Sequence, residues 1–176
     1  LYFYAVAWDG SKFIAAGKDF DFTAGVNAWV GVVYTSSDGV SWSRVYASTT
    51  PGTILRKVGC GNGISFAGGD MGTLLRSANG NAWSPVQLVA GSYDIGGIAY
   101  GQGKFAILAH QQGSNSGDGK AFVSSDGSNW EDRSSALDFD NSSWQDLRNI
   151  SFANDRFIAS GWYSKIRVAT DAAQTF

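Results

Sequence analysis

An all-β fold built from repeats is what this sequence predicts, on three observations. One two-part pattern recurs four times along the 176 residues. The aromatic closing each copy stands at 42, 83, 130 and 176, a spacing of 41, 47 and 46 residues. No stretch sustains a helical hydrophobic period; apolar or alternating runs of about 4 to 6 residues lie between turn signals, as strands do.

The first half of the pattern is a hairpin: an aromatic, a short polar linker, an apolar run, then Ala or Gly. Copy one runs from Trp8 through Asp9-Gly10-Ser11-Lys12 to Phe13 and Gly17. Copy two runs from Cys60 through Gly61-Asn62-Gly63 to Phe66, one residue shorter. Copies three and four run from Tyr100 to Ile107 and from Phe152 to Gly161. Gly, Asn and Asp in the linkers tolerate the positive φ of tight hairpin turns. The second half is a polar turn closed by an aromatic: Ser36-Ser37-Asp38-Gly39-Val40-Ser41-Trp42, with counterparts ending at Trp83, Trp130 and Phe176.

Each copy parses into four strands, A to D, which in copy one are residues 4–7, 13–16, 32–35 and 43–47. A period in the forties with four strands per unit is that of a propeller blade, whose face is buried only by stacking on its neighbours. The predicted architecture is therefore a β-propeller of antiparallel four-stranded blades averaging 44 residues, at about 1–47, 48–90, 91–135 and 136–176, in a single domain. Pro51 falls in a connection and Pro85 near the start of an outer strand, where an edge tolerates it. Copy four stops at its closing Phe176, so its outer strand is expected to be missing. Residues 1–7 are needed as strand A of copy one, so they offer no substitute. The expectation is a piece of a longer propeller, or a ring completed by another chain, with an isolated closed four-blade monomer as the alternative.

Composition narrows the function classes. Charged residues are 16%, against an average near 25%, and the net charge is −2 with no Lys/Arg block. That argues against a nucleic-acid face or an anionic membrane surface. No apolar run approaches the roughly 20 residues that span a bilayer. Cys60 is the one cysteine, so no internal disulfide is possible. Gly59-x-Gly61-x-Gly63 opens a hairpin rather than a helix and is no nucleotide loop.

The polar turns resemble the Asp-box of BNR repeats, found in sialidase-like propellers. The paired hairpin also resembles photosystem II assembly factor-like propellers. The resemblance covers nearly the whole chain. The usual box has one residue more; copy four keeps that length but has Ala169 and Ala173 in place of its Ser and Gly, and copy two has Asn79 for Asp. The resemblance implies that Asp38, Asn79, Asp126 and Asp171 serve the turns, that Trp42, Trp83, Trp130 and Phe176 are core residues between blades, and that none of them is catalytic. It is informative about fold and uninformative about function.

Antiparallel order places the A–B and C–D turns on one rim and the B–C and D–A connections on the other. Length variation concentrates on the second rim: 18–31, 110–119 and 134–145 are expected as long connections. Long loops on a rigid scaffold are where binding residues gather. Trp29, Trp144 and Trp162 fall outside the repeat frame and are expected on this rim, with Phe20, Phe22, Tyr93, His110, Gln111, Gln112, Phe139 and Tyr163 in or near it. Flat aromatics beside amides suit the apolar face and hydroxyls of a sugar. The candidate ligand-binding set is therefore Trp29, His110, Gln111, Gln112, Trp144, Trp162 and Tyr163. The same aromatics equally suit a cover over the ends of the core or a contact with a neighbouring domain.

Two function classes follow. One is a non-catalytic recognition propeller, secreted, on a cell surface or on a virion, binding a glycan or a protein. The other is a sialidase-like glycosidase, which needs an arginine cluster and a Tyr/Glu pair. Arg56 and Arg148 hold similar places by the inner strands of copies two and four and suggest a two-arginine pocket. Glu131, the one Glu, follows Trp130 on the opposite rim, which argues against hydrolysis. An assembly or scaffold factor using the same rim is a third reading. No cofactor is expected. His110 is the one His, which excludes a multi-His metal site. Asp118, Asp138, Asp140 and Asn141 are the oxygen donors a Ca²⁺ would use, without a spaced ligand pattern. Asn141 and Asn149 head glycosylation sequons, the second on an expected inner strand where a glycan would not fit.

Overall fold

Paired residues of positive φ close the hairpins from which the chain is built. The turns are Asn62-Gly63 (φ 48° and 71°), Gln102-Gly103 (49° and 74°) and Asn154-Asp155 (48° and 55°). Two positive φ values in succession make the turn whose twist matches the flanking strands. The structure, a computed structural model, describes residues 1–22, 27–112, 119–137, 147–161 and 166–169.

The described strands form four antiparallel sheets, each ordered as in the sequence. The first holds β1 (Tyr2–Trp8), β2 (Phe13–Asp21), β3 (Ala28–Ser36) and β4 (Ser43–Ala47). The second holds β5 (Leu55–Gly61), β6 (Ile64–Gly69), β7 (Leu74–Ser77) and β8 (Ser84–Pro85). The third holds β9 (Tyr93–Gly101), β10 (Lys104–Gln111), β11 (Gly119–Ser124) and β12 (Glu131–Asp132), followed by a 3-10 turn at Ser134–Leu137. The fourth holds β13 (Leu147–Ala153), β14 (Arg156–Gly161) and β15 (Ile166–Ala169). Pro85 pairs with Leu75 on the outermost strand, where a missing N–H is harmless.

The sheets stack through their inner strands: β5 packs on β1, β9 on β5 and β13 on β9. Each joint has its own core. Ile14, Ala16 and Val33 meet Leu55, Val58 and Cys60 at the first. Phe66 and Leu74 meet Ile98, Phe105 and Ile107 at the second. Leu108 and Val123 meet Ile150, Phe157 and Ala159 at the third. Glycine permits the closest approaches: a Cβ on Gly61 would lie 2.0 Å from the Tyr100 ring, and one on Gly101 2.2 Å from the Phe152 ring.

Two expected long connections are shorter than the sequence suggests. In copy one the hairpin extends to Asp21 and restarts at Ala28, with Phe20 paired opposite Trp29. Cross-strand aromatic pairing holds the extension together. Residues 18–21 and 28–31, expected in a loop, are therefore strand. In copy three β10 runs to Gln111, so His110 and Gln111 are strand residues as well. Asn149 does lie on an inner strand, yet it is exposed. Asp118, Asp138, Phe139, Asp140 and Asn141 lie outside the described residues.

Every inner strand carries a register shift near its start, and the extra residues are Tyr4, Arg56, Gly96 and Arg148. A bulge leaves its extra residue unpaired and re-aims its side chain. The two arginines, expected just before the inner strands, sit inside them at these bulges.

Two tests follow from the joints. Gly61→Ala should overpack Tyr100 and destabilise the fold by about 1–3 kcal/mol, read as a lower denaturation midpoint. Burial at the first joint pushes the Cys60 thiol up to about 11. Cys60 should therefore react slowly with a disulfide reagent at mildly alkaline pH in the native chain, and promptly once the chain is unfolded.

Candidate functional site: a cationic cleft at one rim

Because the bulges lie near the starts of the inner strands, they gather at the rim that carries the B–C and D–A connections. There a cleft of about 420 Å³ opens between the second, third and fourth sheets, lined by Arg56, Lys57, Asp94, Ile95, Gly96, His110 and Arg148. Two arginines and a lysine thus line a recess with one carboxylate, Asp94, among its described lining residues, in a chain whose net charge is −2.

Hydrogen bonds fix the walls of this cleft. Arg56 donates Nε and Nη2 to the two oxygens of Asp70, at 2.5 and 3.0 Å. That pairing holds the guanidinium charge even more firmly than usual. Its guanidinium carbon also lies 5.2 Å from the centre of the Tyr4 ring. Burial, and then the Arg56 charge, lower the pKa of Lys57. Gln112 Nε2 donates to Asp94 Oδ1 at 2.6 Å, and the Met71 amide donates to the same oxygen at 2.9 Å. His110 Nε2 stands 4.0 Å from Asp94 Oδ2, with both side chains largely buried. Gly96 keeps the third wall low, since a Cβ there would lie 3.0 Å from His110 Nδ1. The arrangement presents positive potential in a partly dehydrated recess, which favours a bound anion.

The structure distributes the expected ligand-binding residues unevenly. His110 lines the cleft, and Gln112 braces Asp94 at its edge. Gln111 pairs opposite Tyr93, half-buried. Trp29 lies at the rim end of β3, with ring centroids 5.5 Å from Tyr2 and 5.3 Å from Phe20. Lys18 Nζ stands 4.7 Å from the Trp29 ring centre and 5.3 Å from that of Tyr2, a cation–π contact that occupies part of this aromatic surface. Trp144, Trp162 and Tyr163 lie outside the described residues. Lys57, Asp70, Asp94 and Gly96 escaped the sequence reading, because the bulges that gather them are a property of strand pairing. Among the described residues no group of three or more His, Cys, Asp or Glu is placed to hold a metal ion.

The polar turns on the opposite rim share one device. Asp38 Oδ1 accepts from the Val40 and Ser41 amides at 2.8 and 2.7 Å and from Ser36 Oγ at 2.9 Å. Asp126 repeats this with the Ser128 and Asn129 amides, both at 2.8 Å, and Ser124 Oγ at 3.0 Å. Asn79 Oδ1 does the same with the Asn81 and Ala82 amides at 2.9 Å, so the turn needs an acceptor oxygen rather than a charge. Trp42, Trp83 and Trp130, expected in the core, are half-buried. Trp42 and Trp83 donate Nε1 to the Gly39 and Gly80 carbonyls, which ties each indole to its own turn at the edge of a joint. Asp171 and Phe176 lie outside the described residues.

The four stacked sheets define a β-propeller fold. The sequence matches no protein-family model and no curated protein sequence. Similar solved structures are propellers. YCF48 bound to a D1 peptide superposes with a TM-score of 0.54 at 16% identity, over 95% of this chain and 48% of that one. A GH74 enzyme of Niastella koreensis gives 0.60 at 12%, over 97% and 36%. The computationally designed Ika4 protein gives 0.57 at 12%, over 96% and 90%. This chain thus spans about half the length of the YCF48 chain and about a third of the GH74 enzyme.

The turn carboxylates generate a pH test. Amide hydrogen bonds, from Ser41 then Val40 at Asp38 and from Asn129 then Ser128 at Asp126, hold both well below the usual carboxylate range. A depressed folded pKa adds stability that is present above the unfolded value near 4 and lost as pH falls below it. Acidification should therefore lower the denaturation midpoint, and the Asp38→Asn/Asp126→Asn double variant should show a shallower loss over the same interval.

Proposed function

We propose that this chain is a recognition propeller, without catalytic activity of its own, that binds a carboxylate-bearing segment of a protein partner in the rim cleft. The single observation behind this reading is the convergence of Arg56, Lys57 and Arg148 on one recess whose described lining holds one carboxylate, Asp94, while Asp70 pairs with Arg56 from beside it. Asp94 is braced by Gln112 and the Met71 amide, which limits its competition for the cations. A propeller of similar fold, YCF48, has been solved with a peptide bound, which supports a peptide as the ligand class. We infer further that the Ser/Asp turns are Asp-boxes with structural roles, and that the chain works at an extracellular or displayed surface.

Hydrolysis is the weaker reading, although glycoside hydrolases share the fold. Glu131 lies on outer strand β12, engaged by Arg133 at 2.8 Å, away from the cleft lining. A glycan ligand draws support from the Tyr2–Trp29 aromatics at the end of the first sheet on the same rim. An acidic sugar and an acidic peptide would compete for the same cations.

Titration with a fluorescent aspartate- and glutamate-rich peptide tests this reading, against a neutral peptide of equal length. The acidic peptide should bind, and its affinity should fall as salt screens the cleft. Arg148→Ala should weaken it about tenfold or more, equal to about 1.4 kcal/mol, with an unchanged denaturation midpoint. Equal affinity for the two peptides, or no effect of Arg148→Ala, would refute it.

A further inference from the structure

Each blade has two unlike faces, and the inner strands show the rule. The face turned to the preceding blade carries the larger residues of each inner strand at alternate positions: Val58 and Cys60, Ile98 and Tyr100, Ile150 and Phe152. The face turned to the following blade carries small residues: Ala7, Gly59 and Ala99 at one aligned position, with Gly61 and Gly101 two residues on, where the first blade has Asp9. The contacts are direct, since a Cβ on Gly59 would lie 2.4 Å from Ile98 Cγ2. Three joints are formed this way within the chain.

Both end faces obey the same rule without being covered. On the first blade Val6 and Trp8 hold the large positions and are 63% and 49% exposed. Trp8 and Phe13 are already set at 4.8 Å between ring centroids, like Tyr100 and Phe105 at 4.7 Å in a completed joint. On the fourth blade Ser151 and Ala153 hold the small positions and are exposed. Ile166 and Val168, in register with Ala121 and Val123 of the third blade, are 63% and 44% exposed. Charge matches as well. At the first joint Lys12 Nζ donates to the Asn79 carbonyl at 2.6 Å. On the fourth blade exposed Arg156 stands in the place of Lys12, and on the first blade Asp38 stands in the place of Asn79.

We propose that a second copy of this chain docks head to tail, the small-residue face of its fourth blade on the Val6/Trp8 face of the first. Among the described residues neither β13 nor β14 packs on β1 as β5 does. A closed pair forms two such joints at once, which helps reach the roughly 1,200–2,000 Å² that a stable interface buries. The joint is heterologous, so each copy gives one face and receives the other.

Light scattering on residues 1–176 over a concentration series is the test. The chain should reach the mass of a pair. Val6→Ser/Trp8→Ser removes the large residues, and Ala153→Trp fills the small face. Both changes are at exposed positions, so each variant should keep its native circular dichroism while pairing at least about tenfold more weakly. A second readout places cysteines at positions 6 and 151 in a Cys60→Ser background, which should cross-link between two chains. A monomer at every concentration, pairing that survives both variants, or a cross-link confined to one chain would each overturn the proposal; the last would mean that the ring closes on itself. None of these outcomes bears on peptide binding in the cleft.

Discussion

The packing of a large inner-strand pair against a small one is the constraint on which the rest of the structure depends. A four-stranded sheet has two faces and cannot bury either alone. Here the alternation of strand side chains assigns the faces opposite characters, large on one side and small on the other. Stacking then proceeds in one direction, and each joint closes to contact distances that only Gly or Ala permits. Blade number is not written into this rule, because any large face accepts any small face. What the rule fixes is the order and hand of stacking, and with them the rim at which the inner strands begin.

The hydrogen-bonded turns act at the other rim and solve a different problem. Strands C and D must be joined tightly, with the turn amides satisfied in a segment too short for ladder bonds. A single acceptor oxygen two residues past Ser does this for two amides and one hydroxyl. Asn79 fills the role as Asp38 and Asp126 do, so the charge is dispensable to the geometry although it couples the turn to pH. The tryptophans that close these turns reach only the edges of the joints, where bonds to their own turns hold two of them.

Much of the fold was legible because it is periodic. Four copies of one pattern carry four independent votes on where strands begin and turns fall, and Asn-Gly and Ser-x-Asp-Gly are turn chemistry of known consequence. Legibility failed where a strand outran the repeat. Lys18 to Asp21 and Ala28 to Gly31 read as a polar loop, but the cross-strand pairing of Phe20 with Trp29 makes them an extended hairpin. The cleft was half legible. Arg56 and Arg148 stood out by position, whereas Lys57, Asp94 and Gly96 did not, because what gathers them is a bulge. A bulge is a feature of pairing between strands and leaves little trace in one strand's pattern.

That bulge also explains how one inner strand serves two surfaces. Before it, side chains reach the rim; after it, the regular alternation fills the joints on either side. The extra residue is released from ladder pairing, so its identity is free of the large-and-small rule. Tyr4, Arg56, Gly96 and Arg148 differ accordingly in size and charge, while the positions two and four residues beyond them are all apolar. A substitution at the bulge therefore changes what the rim presents and leaves the joints intact. On such a scaffold the ligand is set by a few side chains at equivalent places around the rim, and here two of them are arginines.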